Sequence, residues 1–345
     1  MLFRSVNMPA EVGIYLRGGK VHKELQSQAP DLKGKKYNQS EIDRAAIANI
    51  SNLLRWCEEL LNFWGEVSPT ALRSGGLGVR DLKEIAQHLG VSEGCAAFVA
   101  ELCYLAGLLA IDSDESIAPT NSFDIWLTQD FENKWRNLVS LWLITSRVSG
   151  LVGRSDQKFA ALGPELDRVS AANIRSRVLE ELRSNIELSP NLASFTERMK
   201  WLAPLRRGAN LRDDLVKWTL EECEWLGITG LGALSTFAAE LLEGDEELGV
   251  NAALPTPIDY ITIQSDQTAI APGPLQHELA VEMSQIGDIE SRGGATVYRF
   301  TESSIRRGLD HGKSSAEIIK FLTKISKTDR KSTRLNSSHI PLSRM

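Results

Sequence analysis

The chain has 345 residues, 42% of them hydrophobic, and its 45 acidic residues outnumber its 39 basic residues, which gives a formal net charge of −6. This length and composition suit two or three globular domains of roughly 100–200 residues each and exclude a disordered chain. An acidic chain has no general phosphate-binding surface, so any contact with nucleic acid must come from a local basic patch.

Both ends of the chain resemble the conceptual translation of sequencing adapters. Residues 1–5 fit one adapter, and residues 328–345 contain the run 329–339, which fits the opposite one. We expect neither tail to belong to the fold. Without the tails the chain loses five basic residues and one acidic residue, so its formal charge becomes more negative than −6. The alternative is a natural basic, serine-rich tail.

Residues 6–64 are predicted to be a linker followed by one long helix. Apolar residues recur at helical spacing from Ile42 to Trp64, behind Ser40 as an N-cap, and the helix is predicted to end before Gly65.

Residues 65–150 are predicted to form a winged-helix-like domain. A short amphipathic helix at 81–89 is followed by a second helix at 93–107, which Ser92 caps, and by a hairpin at 108–119. Helix, tight turn, helix and hairpin is the order typical of a winged helix-turn-helix.

A second winged-helix-like domain is predicted for residues 151–254, less clearly than the first. Its elements are helices at 170–185, 194–203 and 211–226 and a small hairpin at 227–234.

Residues 255–327 are predicted to form a compact α+β domain with the order β-α-β-β-α-α. A strand at 258–264 precedes a helix from Pro274, a hairpin turns at 293–294, and Thr301 caps the first of two closing helices. Ser314 or Ser315 caps the second helix. The predicted fold class is therefore mainly α with small β hairpins, with winged-helix-like units followed by this domain.

Several runs of sequence resemble a known family. The centre of the last domain, 288–301, is similar to the helicase-associated proteins common in actinobacteria. The runs 261–266 and 316–322 look like the N-terminal domain of XPB-type helicases. The resemblance covers nearly all of 9–327, and further runs that carry it are 16–19, 72–82 and 218–227. It implies association with an XPB-like helicase and a role in DNA repair or transcription.

The run 308–314 invites comparison with a phosphate loop, because it combines glycines, a lysine and a hydroxyl. Its spacing is one residue short, and it follows a predicted helix, whereas a phosphate loop follows a strand. The run 114–117 ends in isoleucine, so it does not match a helicase metal box. We therefore predict that this chain is not an enzyme and does not hydrolyse ATP.

Metal, cofactor and membrane sites are not predicted either. No histidine has a His or Cys three or four residues away, and the paired carboxylates at 58–59, 180–181 and 221–222 are expected to lie on solvated helix faces. No apolar run reaches the ~18–20 residues that cross a bilayer and no signal peptide is evident, so we expect a cytoplasmic protein. The cysteines form no CxxC pair and are predicted to be buried small hydrophobic residues; they are Cys57, Cys95, Cys103 and Cys223.

DNA contacts are not expected from the first winged-helix-like domain. Its second helix has no Arg, Lys, Asn or Gln over 93–104, and these are the side chains that read bases and bind phosphates. This helix is expected to contact protein. The second winged-helix-like domain has a modest basic cluster, which is either a binding patch or a solvated face; it comprises Arg206, Arg207, Arg212 and Lys217.

The α+β domain carries the candidate DNA-binding residues. They lie on its hairpin and its two closing helices, and a local basic face on an acidic chain is typical of backbone-directed, sequence-tolerant contact with DNA. The alternative is ordinary surface charge. The candidates are Arg292, Arg299, Arg306, Arg307, Lys313, Lys320 and Lys324.

The sequence thus predicts a non-catalytic helicase-associated module that binds DNA or docks on a helicase. The alternative is a fragment of an XPB-like ATP-dependent DNA helicase whose motor lies outside this chain. A sequence-specific transcription regulator is disfavoured, because the helix at 93–104 lacks base-reading side chains.

The first prediction concerns nucleotide binding. The chain should show no DNA-stimulated ATPase activity, and Lys313→Ala should leave the binding of a fluorescent ATP analogue unchanged, because the run 308–314 lacks phosphate-loop spacing. Measurable ATP affinity that this substitution abolishes would contradict the prediction.

Overall fold

The computed structural model describes residues 8–19, 28–153, 159–204, 209–254, 256–292 and 295–327. These residues belong to two units, of which the first ends at Asn251 and the second begins at Ala252. They are mainly helical with small antiparallel sheets, so the predicted fold class is confirmed at this level. None of the described helices is both long and apolar enough to span a bilayer.

The described part of the N-terminal unit consists of helices and two-stranded antiparallel sheets. The helices are α1 (Ala10–Leu16), α2 (Gln39–Glu66), α3 (Val79–Leu89), α4 (Glu93–Leu105), α5 (Ser122–Leu127), α6 (Phe131–Ile144), a 3-10 turn (Ser149–Leu151), α7 (Ala171–Arg183), α8 (Leu192–Leu202), α9 (Ala209–Leu226) and α10 (Thr236–Glu243), with α11 (Val250–Ala253) at its end. The strand pairs are β1 (Gly34–Lys36) with β4 (Leu188–Pro190), β2 (Leu109–Ile111) with β3 (Ile117–Pro119), and β5 (Thr229–Gly230) with β6 (Ala233–Leu234).

Helix α2 is the centre of the N-terminal unit. Its apolar side chains recur at helical spacing and are buried from Ile42 to Trp64, as predicted. Helices from both halves of the unit pack against it, and so do strands β3 and β5 of the two hairpins. The N-cap is Asn38, not the predicted Ser40, and the helix continues one residue past Gly65.

The elements α3, α4, β2 and β3 follow in the order predicted for residues 65–150. Ser92 caps α4, since its hydroxyl accepts a hydrogen bond from the Cys95 N–H at 3.2 Å. An isolated antiparallel bridge joins Thr70 to Ser116, the residue before β3. Whether this region is a winged helix remains a prediction.

Residues 151–254 contain α7, β4, α8, α9, β5 and β6, so the three helices and the hairpin predicted there are present. Helix α8 begins at Leu192, two residues before the predicted start, because the Asn191 carboxamide accepts the Ser194 N–H at 2.9 Å and caps the helix there. Strand β1 pairs with β4, although residues 6–64 were predicted to hold no strand.

The predicted exposure of the paired carboxylates is wrong for Glu222, which is 3% exposed. Its carboxylate accepts hydrogen bonds from Trp142 Nε1 at 2.7 Å and from Ser149 Oγ at 2.8 Å, and lies 3.7 Å from Arg175 Nε. Burial raises the pKa of Glu222, while the Arg175 charge opposes that shift. The sequence shows only adjacent glutamates, so the burial comes from packing between α6, α7 and α9. Other members of the pairs also form ion pairs, Glu58 with Lys134 and Glu181 with Arg198.

The cysteines are buried and free, as predicted. Burial raises the pKa of Cys95 to about 12 and the pKa of Cys223 well above its usual value. These two thiols are therefore poor nucleophiles.

The C-terminal unit contains one four-stranded antiparallel sheet in the order β7-β8-β10-β9. A core of buried residues joins this sheet to the helices, with Tyr298 of the sheet and Ile286, Ile318 and Phe321 of the helices among its members. The elements are β7 (Thr262–Ile263), β8 (Thr268–Ala271), α12 (His277–Ile286), β9 (Asp288–Arg292), β10 (Thr296–Arg299), α13 (Glu302–Asp310) and α14 (Ser315–Ile325).

The observed order, β-β-α-β-β-α-α, has one strand more than the predicted order. Strand β8 is short and contains two alanines, so its local pattern is weak, and it forms by pairing with the distant strand β10. Helix α12 begins after Pro274 because Ile258 pairs with 274–276 in an extended bridge. Thr301 and Ser314 cap α13 and α14 as predicted. The predicted turn at 293–294 lies outside the described residues.

The second prediction concerns the packing of the second hairpin on α2. A methyl group added at Gly230 would overlap the carbonyl oxygen of Ile42 and lie 2.7 Å from Ala46 N. Gly230→Ala should therefore lower the free energy of unfolding by at least about 1–3 kcal/mol. Chemical denaturation measures this change.

Gly94→Ala in α4 is the control, because its added methyl would meet no atom closer than 3.9 Å. It should be neutral or slightly stabilising. Equal stability of the two variants would show that the hairpin does not pack as closely as described.

Candidate nucleic-acid interface

The candidate DNA-binding residues lie on three parts of the C-terminal unit. Arg292 and Arg299 belong to the β9–β10 hairpin, and the rest belong to α13, α14 and the turn between them. The side chain of Arg292 lies outside what the structure describes. The other candidates differ in whether an acidic residue forms an ion pair with them.

Arg299 is held by an acidic residue of the neighbouring strand. Its Nη2 lies 2.7 Å from Glu290 Oε1, and the hydrogen bond to Glu290 raises the pKa of the guanidinium. Both side chains are partly exposed, at 42% and 43%. Because exposed ion pairs contribute little to stability, a phosphate can compete with Glu290 for this arginine.

Arg307 and Lys313 are also paired. Arg307 Nη2 donates to Asp288 at 2.8 Å and to the Ser284 carbonyl at 3.2 Å, and Lys313 Nζ lies 2.5 Å from Glu282. These bonds tie α13 and the following turn to α12 and the start of β9. Both residues thus contribute to the structure of the unit as well as to its surface charge.

Arg306, Lys320 and Lys324 are exposed, and the described residues provide no ion pair for any of them. Lys320 and Lys324 are one turn apart on the solvent face of α14, because the opposite face of that helix lies in the core. We call these two residues the α14 lysine pair. Glu317 lies beside it: hydrogen bonds from Ser314 lower the pKa of Glu317, with a smaller contribution from the charge of Lys320.

The C-terminal unit as a whole is not basic. Residues 256–327 contain nine acidic and eight basic residues. The candidate DNA-binding residues are therefore interleaved with acidic residues, and only some of them can present positive charge that no acid compensates.

Lys327 is a further cation that the sequence argument missed. Its Nζ lies 3.6 Å from the centre of the Tyr260 ring, and its backbone N–H donates to the Ile261 carbonyl at 2.9 Å. Tyr260 is distant in sequence, so no local signal identified this contact. Lys327 is exposed and lies two residues after the end of α14.

The basic cluster of the second winged-helix-like region does not form a phosphate-binding surface from its described members. Arg212 is 5% exposed and donates to the Ala203 carbonyl at 2.9 Å, and Lys217 faces Glu221 at 3.7 Å. Arg206 and Arg207 lie outside the described residues.

Helices α4 and α9 occupy the place of a recognition helix in the two predicted winged-helix-like regions, and both pack inside the unit. Every residue of α4 from Cys95 to Cys103 is buried. Helix α9 packs against α2, α7 and α8. Helix α4 therefore packs against this chain's own elements, and the contact with another protein stays a prediction.

The run 308–314 follows a helix, as predicted, and leads into the N-cap of the next helix. It ends α13, turns at Gly312 and continues with Ser314 as the N-cap of α14, and Lys313 bonds to Glu282. Within the described residues no group of three or more His, Cys, Asp or Glu side chains is placed to hold a metal ion.

Part of the chain matches a known protein family. The family described as "Helicase conserved C-terminal domain" matches residues 261–331, which is less than half of the chain. A helicase-related C-terminal domain is therefore confirmed, while the resemblance to the N-terminal domain of XPB-type helicases stays a prediction. No curated protein matches the chain.

The third prediction tests whether the acids of the C-terminal unit limit binding to DNA. Glu282→Gln with Glu290→Gln releases Lys313 and Arg299 from their partners. This double variant of the full chain should bind a short DNA duplex several-fold more tightly, because two repulsive charges are removed beside cations. Fluorescence anisotropy at constant salt measures the affinity.

The matched control removes two acids of the same unit that form no ion pair with any candidate cation whose side chain the structure describes, Asp259→Asn with Glu278→Gln. It should change the affinity less. An equal effect of both double variants would show that only net charge matters.

Proposed function

We propose that this chain is a non-catalytic helicase-associated module whose C-terminal unit contacts the DNA backbone, next to an XPB-like helicase, in DNA repair or transcription in the cytoplasm. The helicase family match carries this proposal, since it covers the unit that presents the α14 lysine pair. DNA and the helicase are the partners, and no cofactor is required.

The contact is expected to be weak and insensitive to sequence. The α14 lysine pair consists of two flexible ammonium groups, which neutralise phosphates without reading base edges. Arg306 and Lys327 add exposed positive charge, and Arg299 joins when a phosphate displaces Glu290. These cations can neutralise phosphates of a duplex backbone through charge alone, and each phosphate neutralised contributes about 0.9 to the log–log salt slope.

The N-terminal unit supports a scaffold role. The helices that would read the major groove in a helix-turn-helix protein, α4 and α9, are packed in the interior, and hairpin strands β3 and β5 lie against α2. Sequence-specific recognition by either region is therefore disfavoured.

A second candidate function is that the chain is part of an XPB-like ATP-dependent DNA helicase, and the description of the matched family as a helicase domain favours it. The source gene distinguishes the two. A phosphate loop and an acidic metal box in the same reading frame support the helicase, and a gene without them supports the accessory module.

The fourth prediction tests the proposed DNA contact. Lys320→Ala with Lys324→Ala in the full chain should weaken duplex binding and reduce the log–log salt slope by up to about 1.8, because each neutralised phosphate contributes about 0.9. Anisotropy titrations at several salt concentrations measure the slope. The control is Lys200→Ala with Lys217→Ala, two exposed lysines of the N-terminal unit that already face acids.

A slope that falls equally in both double variants would overturn the proposal. So would a chain that binds no duplex even at low salt. In that case the α14 lysine pair is better interpreted as a docking surface for an acidic patch on the helicase.

A further inference from the structure

Besides the α14 lysine pair of the C-terminal unit, the chain has a concentration of positive charge in the N-terminal unit, on and beside strand β1. Lys33, Lys35 and Lys36 surround Gly34 within four residues, and all three lysines are exposed. The only acid in the segment 28–37 is Asp31. We call the three lysines the basic edge.

The basic edge is held rigidly on the second winged-helix-like region. Strand β1 pairs with β4 from Gly34 opposite Pro190 to Lys36 opposite Leu188. Outside the strand, the Lys33 N–H donates to Ser194 Oγ at 3.0 Å, and the Lys33 carbonyl accepts the Asn191 N–H at 2.8 Å. The backbone that carries the lysines is thus fixed at both ends.

Gly34 shows how closely this strand approaches its partner. A methyl group at this position would overlap the Ser189 carbonyl oxygen and lie 2.7 Å from Pro190 Cα. A side chain therefore does not fit between the lysines on that side, and the strand is pressed against β4 with its charged side chains outward.

The basic edge differs in its partners from three of the C-terminal candidates. The described residues supply no ion pair to Lys33, Lys35 or Lys36, whereas acids hold Arg299, Arg307 and Lys313. Lys35 Nζ lies 4.5 Å from the centre of the Tyr37 ring, a contact that leaves its charge uncompensated. Lys33 precedes the strand, and Lys35 and Lys36, as consecutive strand residues, project to opposite faces of the sheet.

We propose that the basic edge is a second contact for the DNA phosphate backbone, provided by the N-terminal unit. Uncompensated lysines on a fixed strand lose little conformational freedom of the backbone when they bind a polyanion. The lysines give an acidic chain, which as a whole is repelled by phosphates, a local site of attraction on the N-terminal unit. The inference stands on strand β1 and does not require the α14 lysine pair to bind DNA.

Lysines on an edge strand have a competing role, since they prevent the strand from pairing with another molecule. That role alone gives a different result on mutation. Loss of the lysines would promote self-association and leave the affinity for DNA unchanged.

The test is a triple variant of the full chain, Lys33→Ala with Lys35→Ala and Lys36→Ala. Duplex binding should weaken, and the log–log salt slope should fall by up to about 2.7, since about 0.9 is lost for each phosphate contact. The matched control is Lys83→Ala with Lys200→Ala and Lys217→Ala, which removes three exposed lysines from the helices of the same unit. Circular dichroism and size-exclusion chromatography verify folding and monodispersity of both variants.

The same substitutions are then made together with Lys320→Ala and Lys324→Ala. A further loss of slope in that background shows that the basic edge acts independently of the α14 lysine pair. If the α14 substitutions have no effect while the basic-edge substitutions do, the proposed C-terminal contact fails and this inference holds.

Three results would overturn the inference. The first is a salt slope equal to that of the matched control, and the second is self-association of the triple variant with unchanged DNA affinity. The third is weaker binding of poly-glutamate with unchanged binding of DNA, which would assign the basic edge to an acidic protein surface.

Discussion

The N-terminal unit depends on the close packing of two hairpins and several helices around α2. The backbone of β5 approaches α2 so closely that Gly230 has no room for a methyl group beside the Ile42 carbonyl. Gly227, at φ +70, is similarly pressed against Ile50 and Ala46. Glycines at these two positions let the second hairpin lie directly on the helix, and this brings both halves of the unit onto one core.

This packing has a consequence for function. When α4 and α9 fill the interior and strands β3 and β5 lie against α2, the surfaces that a helix-turn-helix protein offers to DNA are occupied by the chain's own residues. The buried polar network of Glu222, Arg175, Trp142 and Ser149 connects the same helices. Because a buried charge without its partner is costly, this network favours one fixed arrangement of the helices. These properties support the proposed role of the unit as a scaffold.

Electrostatics, not the number of cations, decides where an acidic chain can meet DNA. In the C-terminal unit Glu290, Asp288 and Glu282 each hold a basic residue that sequence alone would assign to DNA. The α14 lysine pair and the basic edge of β1 have no such partner among the described residues. In α14 the lysines lie on the solvent face of a helix whose opposite face is packed, and in the basic edge they lie on and beside an exposed strand that pairs with β4. A contact of this kind is sensitive to salt and tolerant of sequence.

The sequence by itself determined the features that depend on near neighbours. The helical spacing of apolar residues predicted the buried face of α2, and the capping residues Ser92, Thr301 and Ser314 predicted where three helices begin. Both predictions succeed because capping and helical periodicity act within a few residues. The sequence also indicated that the last domain is related to helicases, and the family match supports this relation. Tertiary structure decided the features that join distant residues. Lys313 meets Glu282 across 31 positions, strand β8 forms against β10, β1 forms against β4, and Glu222 is buried between helices. Local propensity and charge pattern contain no information on which distant side chains become neighbours. The sequence therefore identified the candidate cations, while the fold determined which of them have no acidic partner among the described residues.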